Sequence, residues 1–260
     1  GPGELELFPA SDSNKHKGQN GKVAIVGGGG YAGAPALAGI GAYRAGVDLV
    51  HVFVPSNHYE QVSAFAPELI VHKLDSEFIT SDIVNSLKSH NFDSIVIGPG
   101  MGKRPESIDA VRELISNFDN LVIDADGIQR YNFHGKNILL TPHGGELSNL
   151  GVKSSKDQLM QFSIEYGVTL LFKGKIDYIT NGIYFKKNFT GHPRMAVGGT
   201  GDLLAGICGG LMARGLTTFE AARLGSYVTG LAGEMSFEEY GSGFLPSELA
   251  LSVSKIFGKI

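Results

Sequence analysis

The segment VAIVGGGGYAG, residues 23–33, joins a short apolar run to a glycine-rich turn. An apolar run of four residues is too short for a helix and is typical of a buried strand. From Gly28 onward the letters fit G-x-G-x-x-G, a turn whose glycines let a backbone approach a phosphate at the start of a helix. The segment therefore predicts a strand, a ligand-binding turn and a helix, the unit from which parallel α/β sheets are built.

The same order of strand, turn and helix recurs along the chain. The pattern predicts strands at residues 22–26, 49–54, 94–97, 121–124, 137–140 and 168–172, and helices that include 32–45, 107–117, 155–166 and 202–213. Residues 178–185 predict a hairpin near one edge of the sheet, with a two-residue turn at Asn181-Gly182, because that pair tolerates positive φ. We expect an α/β fold with a mostly parallel central sheet, helices on both faces and a small antiparallel hairpin.

Composition narrows the classes of function. The chain has 260 residues, of which 42% are apolar and 18% charged, and its formal net charge is -4. It offers no broad electrostatic attraction for nucleic acid or an anionic membrane, so we expect small molecules or other subunits as partners. The single cysteine, Cys208, is expected in the core and cannot form a disulfide within the chain.

Several further expectations concern the whole protein. With no long apolar run and no signal-peptide pattern at the start, the sequence favours a cytoplasmic protein. We expect one domain over residues 1–260, with residues 1–15 as an N-terminal extension or expression tag. The apolar, glycine-rich residues 36–45 can pack between subunits as readily as within one, so we expect a homo-oligomer, for which a tetramer is a candidate.

Glycines or polar residues directly follow five of the predicted strands. The turns read GGGG (27–30), GPGMG (98–102), DAD (124–126), TPHGGE (141–146) and KG (173–174). In an open parallel sheet the carboxyl ends of the strands share one edge, and ligands bind in the crevice there. The five turns are therefore expected to converge on one site.

The first of these turns also fits an NAD-dependent dehydrogenase. That fold needs an acidic residue about 20 residues further on, at the tip of the second strand, to hold a ribose hydroxyl. Here the strand ends VFVPS (52–56), while Asp48 precedes it and Glu60 lies beyond it. The sequence argues against a dehydrogenase, and the glycines need another ligand.

A second glycine-rich segment, MAVGGTGDLLAG at 195–206, runs directly into a predicted helix. Unpaired N–H groups and the positive end of the helix dipole at Gly201 and Asp202 make an anion site. A phosphate would repel Asp202 unless a hydroxyl or a metal lies between them. A base that accepts a hydroxyl proton as a phosphoryl group arrives meets this requirement. The alternative, an Asp202 that only favours the helix end, leaves the three glycines just before it unexplained.

The motifs in this order resemble a known family. GGTGD followed by LLAG (198–206) is similar to the signature of the ribokinase-like superfamily. With HKG (16–18), GGGGYAGAP (27–35), GPGMG, DAD and TPHGGE, the sequence resembles the nucleotide-dependent NAD(P)H-hydrate dehydratases of that superfamily from about residue 16 to residue 215. The resemblance implies a ribokinase-like three-layer sandwich. It also implies an enzyme of nicotinamide-nucleotide repair, which restores the S-form of hydrated NADH or NADPH with ADP or ATP as phosphate donor.

The resemblance also implies roles for single residues. Asp202 would be the base for the ring hydroxyl, and Ala34, Gly102 and His143 would contact the hydrated dinucleotide with it. Glu146 would organise Mg²⁺ through water, since Mg²⁺ prefers oxygen ligands and keeps several waters. The residues expected to bind the adenine nucleotide come from two loops: Lys173, Gly174, Lys175, Ile176, Asp177, Gly198, Gly199, Thr200 and Gly201.

Structural roles stay open for several of these side chains. His143 could instead bond a backbone carbonyl at a strand end, and Glu146 could be an early-helix carboxylate. Asp124 and Asp126 fit turn and cap positions as well as catalysis. Lys173 fits either a solvated cation or a turn that exposes backbone groups to a nucleotide.

The chain departs from the family pattern at three positions. Gly29 stands where the family usually has serine, and Lys175 and Asp177 stand where it commonly has alanine and threonine. The choice between ADP and ATP therefore stays open. So do two other functions, a ribokinase-like kinase for a vitamin precursor or sugar and a nucleotide sensor without catalysis.

Overall fold

The computed structural model describes residues 1–10 and 16–258. Its strands are β1 Lys22–Val26, β2 Leu49–Pro55, β3 Ile70–Leu74, β4 Ser94–Ile97, β5 Asn120–Ile123, β6 Asn137–Leu140, β7 Thr169–Phe172, β8 Asp177–Thr180 and β9 Phe185–Asn188. They form one sheet in the order β3-β2-β1-β4-β5-β6-β7-β8-β9. Strands β1 to β7 are parallel to one another, and β8 and β9 add an antiparallel hairpin beside β7.

Helices cover both faces of this sheet. They are α1 Gly33–Arg44, α2 Tyr59–Ser63, α3 Ile83–Lys88, α4 Pro105–Asn117, α5 Gly144–Asn149, α6 Lys156–Tyr166, α7 Thr200–Ala213, α8 Thr218–Tyr240 and α9 Pro246–Phe257. The core on one face contains buried side chains of α1, α7, α8 and α9, and the core on the other contains those of α3 to α6. Side chains of β1 alternate between the two cores, because successive strand residues point to opposite faces. The predicted α/β fold is confirmed.

Helices α1 and α7 pack backbone against backbone. A Cβ on Gly206 would overlap the carbonyl of Ala38, and a Cβ on Gly41 would overlap the carbonyl of Leu203. Glycine is required at these positions because any side chain would push the helices apart. Residues 36–45, for which packing between subunits was left open, thus use their small residues against α7 of the same chain.

Most predicted bounds are close to those observed, and two features differ. β3 was not predicted, because this edge strand has no buried residue and His72 and Lys73 interrupt its apolar pattern. The two-residue turn predicted at Asn181-Gly182 is wrong, because Thr180 pairs with Phe185 and four residues connect the strands. Oδ1 of Asn181 instead accepts the N–H groups of residues 183 and 184, which closes a wider turn.

Residues 1–10 of the expected extension pack on the helical layer. Pro2–Leu7 forms a 3-10 helix, Glu4 pairs with Arg223 of α8 at 2.7 Å, and the ring of Phe8 stacks on Phe257 of α9. Residues 11–15 of that extension lie outside the described residues. Over the described ranges, every helix is too short or too polar to cross a membrane.

Candidate active site

The carboxyl ends of β5, β6 and β7 bring three polar side chains into contact. Asp124 directly follows β5, Thr141 follows β6 and Lys173 follows β7. Oδ1 of Asp124 accepts hydrogen bonds from the hydroxyl of Thr141 and from Nζ of Lys173, each at 2.7 Å. One carboxylate therefore ties together the ends of three neighbouring strands.

The pair of Lys173 and Asp124 is charged and well shielded from water. Asp124 is 2% exposed, and the side chain of Lys173 is 18% exposed. Burial by itself lowers the pKa of Lys173, but the charges of Asp124 and Glu146 outweigh burial and raise that pKa. Lys173 is thus a fixed ammonium at neutral pH, rather than the solvated cation considered from the sequence.

Asp202 lies in the first turn of α7, as the sequence predicted. The helix begins at Thr200, whose hydroxyl donates to the carbonyls of Met195 and Val197 and so fixes the preceding loop. Burial, reinforced by the charge of Asp124, raises the pKa of Asp202 from 3.8 to about 6. A carboxylate with a pKa near neutrality is suited to accept a proton and release it again.

The start of α7 lies against Lys173. A Cβ on Gly201 would stand 3.3 Å from Nζ of Lys173, and a Cβ on Gly198 would meet open space. The backbone N–H groups of this first turn have no partner within the helix. They and the Lys173 ammonium together form an electropositive surface that suits an anion.

The loop from Lys173 to Asp177 is held by its own side chains. Oδ1 of Asp177 accepts the N–H of Gly174 at 3.0 Å, and Oδ2 accepts the hydroxyl of Ser226 at 2.7 Å. Burial raises the pKa of Asp177, while its hydrogen bonds to Ser226 and Gly174 act in the opposite direction. Its side chain therefore shapes the loop, whereas Lys175 is exposed.

The first glycine turn is bonded to the turn after β4. The N–H of Gly28 donates to the carbonyl of Pro99, and that of Gly30 donates to the carbonyl of Gly100, both at 2.9 Å. These amides are not free to bind a pyrophosphate, which is a second reason why the dehydrogenase geometry does not fit. The N–H of Gly29 donates to Nδ1 of His58, a contact that the sequence did not predict.

Two residues expected to contact the dinucleotide are Ala34, in the first turn of α1, and Gly102, in the turn after β4. The Cβ of Ala34 lies 3.0 Å from the position that a Cβ on Gly100 would take. The N–H of Gly102 donates to Oδ2 of Asp126 at 3.1 Å. Asp126 thus bonds the backbone of another turn, 24 residues away in the sequence, rather than the local backbone that the sequence analysis considered.

The third such residue, His143, caps helix α5. Its Nδ1 accepts the N–H groups of Gly145 at 3.0 Å and Glu146 at 3.3 Å, and Glu146 in turn accepts the N–H of His143. An Nδ1 that accepts must lack a hydrogen, so Nε2 carries it, 3.2 Å from Oε1 of Glu146. The carbonyl bond considered for His143 is therefore wrong, because the ring accepts backbone N–H groups and does not donate to a carbonyl.

A cavity of about 300 Å³ lies between the turns after β4, β5 and β6, and its lining includes Lys103, Asp126, His143 and Glu146. A larger cavity of about 670 Å³ lies at the amino-terminal ends of the strands, where β6, β7 and α8 begin. The larger cavity is lined by none of the active-site residues expected from the sequence. The smaller one adjoins the residues expected to bind the substrate.

The side chains around Asp202 carry an excess of negative charge, but over the described residues their carboxylates do not all lie within 4.8 Å of one another. Asp124, Glu146 and Asp202 supply three carboxylates, while Lys173 supplies one ammonium that acts on all of them. Oxygen ligands and an excess of negative charge are what Mg²⁺ requires. Both oxygens of Glu146 already lie within 3.2 Å of His143 atoms, so Glu146 fits a contact through water better than direct coordination.

Comparisons with known proteins agree with the fold and identify the family. A family described as NAD(P)H-hydrate dehydratase matches residues 23–255. An ADP-dependent (S)-NAD(P)H-hydrate dehydratase of Cenarchaeum symbiosum is 34% identical over 98% of this chain and 96% of its own length. A bifunctional NAD(P)H-hydrate repair enzyme of Methanothermobacter thermautotrophicus is 34% identical over 96% of this chain, which spans 52% of that relative.

A solved structure has the same fold. The ADP/ATP-dependent NAD(P)H-hydrate dehydratase of Bacillus subtilis, co-crystallised with ATP and Mg²⁺, superposes with a TM-score of 0.88 at 23% identity, covering 98% of this chain and 95% of that one. The chain spans about half the length of the bifunctional relatives it matches. With the family match extending over nearly the whole sequence, the chain belongs to the NAD(P)H-hydrate dehydratase family.

Proposed function

We propose that this chain dehydrates the S-form of hydrated NADH or NADPH, with ADP or ATP as phosphate donor. The observation that carries the proposal is the position of Asp202. This carboxylate has a pKa near 6 and stands in the first turn of a helix whose N-terminus adjoins the Lys173 ammonium. A proton acceptor and an anion site thus adjoin each other, which transfer of a phosphoryl group to an alcohol requires.

The proposed reaction has two steps. First the ring hydroxyl of the substrate attacks the terminal phosphorus, Asp202 accepts the hydroxyl proton, and the bond to the departing nucleotide breaks. Then the carbon–oxygen bond breaks, phosphate leaves with the electron pair, and loss of a proton from the neighbouring carbon restores the ring double bond. Phosphorylation is needed because hydroxide is a poor leaving group and phosphate a better one.

The proposed binding residues form two groups. Ala34, Gly102 and His143, which follow β1, β4 and β6, would contact the dinucleotide. The proposed nucleotide contacts are Lys173, Gly174, Lys175, Ile176, Asp177, Gly198, Gly199, Thr200 and Gly201. Of these, Lys173 and the backbone N–H groups would hold the phosphates, and Asp177 would keep its loop in shape.

A bound Mg²⁺ would neutralise charge on the phosphates. We propose that Glu146 would hold this Mg²⁺ through a water molecule. Lys173 and Asp124 would keep their ion pair beside it and so hold the ammonium close to the first turn of α7.

Incubation with hydrated NADH, Mg²⁺ and either ADP or ATP tests the proposal. We expect the absorbance of reduced nicotinamide to return, with one phosphate released per turnover, and Asp202→Asn to lose nearly all turnover while it still binds nucleotide. A stable phosphate ester instead would identify a kinase of the same fold. Nucleotide binding without consumption of the hydrate, measured by calorimetry, would identify a sensor.

We also propose that residues 1–260 act as one domain in a cytoplasmic homo-oligomer. Sedimentation of the purified chain measures the oligomeric state, and a monomer at micromolar concentration would contradict it. The comparison of NADH with NADPH hydrates in the same assay establishes the preferred form.

A further inference from the structure

Three histidines that take no part in the proposed reaction lie together on the face of the sheet opposite α7. His51 is on β2, His72 is on the edge strand β3, and His90 follows α3. One ring nitrogen of each histidine lies within 4.8 Å of those of the other two. We call this group the histidine cluster.

The spacing of the rings matches a metal site. Nδ1 of His51 lies 2.8 Å from Nε2 of His72. The ring centres are 5.0 Å apart for His51 and His72, 5.2 Å for His51 and His90, and 5.4 Å for His72 and His90. Tetrahedral zinc with Zn–N bonds of about 2.0–2.1 Å holds ligand nitrogens about 3.4 Å apart and ring centres about 5 Å apart. The rings already stand at that separation, and the closest nitrogens need to part by roughly half an ångström.

In its neutral form the third ring can offer a lone pair at Nε2. The hydroxyl of Ser89 donates its hydrogen to the carbonyl of Ser86, so it can only accept from Nδ1 of His90, 2.8 Å away. Nδ1 of His90 therefore carries the hydrogen and Nε2 does not. In metal sites the ring nitrogen that is not a ligand is usually held in this way, which fixes both tautomer and orientation.

Aromatic side chains hold the cluster in place. The ring of Phe53, 1% exposed, stacks on His72 with centres 4.4 Å apart. The ring of Phe92 stacks on His90 at 5.5 Å and meets His51 edge-on at 5.2 Å. These contacts restrict ring rotation, so little conformational freedom is lost when a metal binds.

We propose that His51, His72 and His90 bind one divalent transition-metal ion, for which zinc is the best match, and leave its fourth position to water. Three imidazoles suit zinc, nickel, cobalt or copper, whereas Mg²⁺ prefers oxygen ligands. On binding, both facing nitrogens of His51 and His72 must offer lone pairs. The hydrogen that now lies between them moves to the other nitrogen of its ring, and the metal bonds replace that hydrogen bond.

A metal bound by the histidine cluster would link the edge strand β3 to the rest of the sheet. β3 is paired on one side only and has few buried side chains, and the metal would tie it to β2 and to the segment after α3. The ammonium of Lys22, whose charge acts on His51, opposes a bound cation. We therefore expect micromolar affinity, weaker than that of a dedicated structural zinc site.

Calorimetric titration of the full chain with Zn²⁺ tests the proposal, in excess Mg²⁺ so that carboxylate sites are filled. We expect one zinc per chain and a rise in Tm of about 5–10 °C at a hundredfold excess over Kd. Titration with Co²⁺ should give the strong visible absorption of tetrahedral coordination. A weak octahedral spectrum, or no binding at millimolar zinc, would overturn the proposal.

Matched variants locate the site. His90→Gln and His51→Gln should each weaken zinc binding at least tenfold, while His134→Gln, which removes an exposed histidine elsewhere, should leave it unchanged. Urea unfolding without metal checks that the variants fold. Equal zinc affinity in all three variants would contradict the proposal. Because the readouts are metal affinity and Tm, the result is independent of dehydratase activity.

Discussion

Nζ of Lys173 lies 2.7 Å from Oδ1 of Asp124, and it also lies 3.3 Å from the position that a Cβ on Gly201 would take. One ammonium thus pairs with the end of β5 and contacts the first turn of α7. Lys173 neutralises the buried charge of Asp124, and we also expect it to bind a phosphate of the nucleotide. Its loss should therefore affect stability and nucleotide binding together.

A double-mutant cycle on Lys173 and Asp124 measures this pair. Lys173→Met leaves a carboxylate that is 2% exposed without its partner. Removal of one member of a buried pair costs about 3–5 kcal/mol. With Asp124→Asn as the second single variant, the double variant should cost at least about 1 kcal/mol less than the sum of the two. Denaturant unfolding gives the four free energies, and simple additivity would show that the two charges are not coupled.

The rate of reaction should depend on the ionisation of Asp202. Because its pKa is about 6, the carboxylate form is lost as the pH falls through that value. We expect kcat/KM for the hydrate to be level above pH 7 and to fall tenfold per unit well below pH 6. A pH profile with saturating Mg²⁺ and nucleotide checks this, and a level profile down to pH 5 would exclude Asp202 as the base.

The ionised form of Asp202 should reduce the stability of the fold at high pH. Its pKa in the folded protein, about 6, exceeds its ordinary value of 3.8, so the folded state holds the proton more tightly. The contribution of Asp202 to stability is therefore fully present below pH 4 and is lost as the pH rises to 6. We expect Asp202→Asn to be about 1–3 kcal/mol more stable than the parent at pH 8, and equally stable at pH 4.

Unfolding in urea at the two pH values provides the comparison. Asp126→Asn is a matched control, because Asp126 lies in the neighbouring turn and its side chain has a different partner. A gain for Asp202→Asn that persists unchanged at pH 4 would mean that charge is not its cause.

Substitutions of His143 separate its cap from any contact with substrate. In His143→Asn the amide oxygen can accept the same N–H groups of α5, since asparagine is a preferred N-cap residue. We expect the free energy of unfolding to change by less than about 1 kcal/mol while KM for the hydrate rises. His143→Ala should lose about 1 kcal/mol more. Unaltered kinetics in His143→Asn would leave His143 as a helix cap only.

The loop closed by Asp177 should control nucleotide affinity. Asp177→Ala removes the acceptor for Gly174 N–H and for Ser226 Oγ, so the loop loses its fixed shape. We expect KM for ADP or ATP to rise about tenfold with a smaller change in kcat, since the residue does not touch the reacting atoms. Lys88→Ala is the control, because that exposed lysine lies at the end of α3, outside the proposed nucleotide site. Equal effects of the two changes would contradict this role.

The sequence predicted the sheet and the edge that holds the site, because both depend on local patterns. Apolar runs such as residues 22–26 and 94–97 end at glycines, and those bounds agree with β1 and β4. β3 escaped detection because His72 and Lys73 cut its apolar run short and none of its residues is buried. The turn after Thr180 was wrong because the side chain of Asn181 closes it, an interaction that backbone preferences alone do not reveal.

The contacts within the site could not be predicted in the same way. Asp124 and Lys173 are 49 residues apart, and nothing local in the sequence indicates that they pair. Their positions just after two buried strands place them at one edge, but strand order decides whether they touch. The histidine cluster depends likewise on the register of β2 with β3, in which Phe53 lies beside His72.

The glycine contact between α1 and α7 fixes more than packing. α1 follows the turn that we expect to face the dinucleotide, and α7 carries Asp202, the base that we propose. With Gly206 against the carbonyl of Ala38, the two main chains are in direct contact. We therefore expect this contact to help set the distance between the substrate's alcohol and its proposed proton acceptor, so that a single added methyl at position 206 would disturb that distance without touching either ligand.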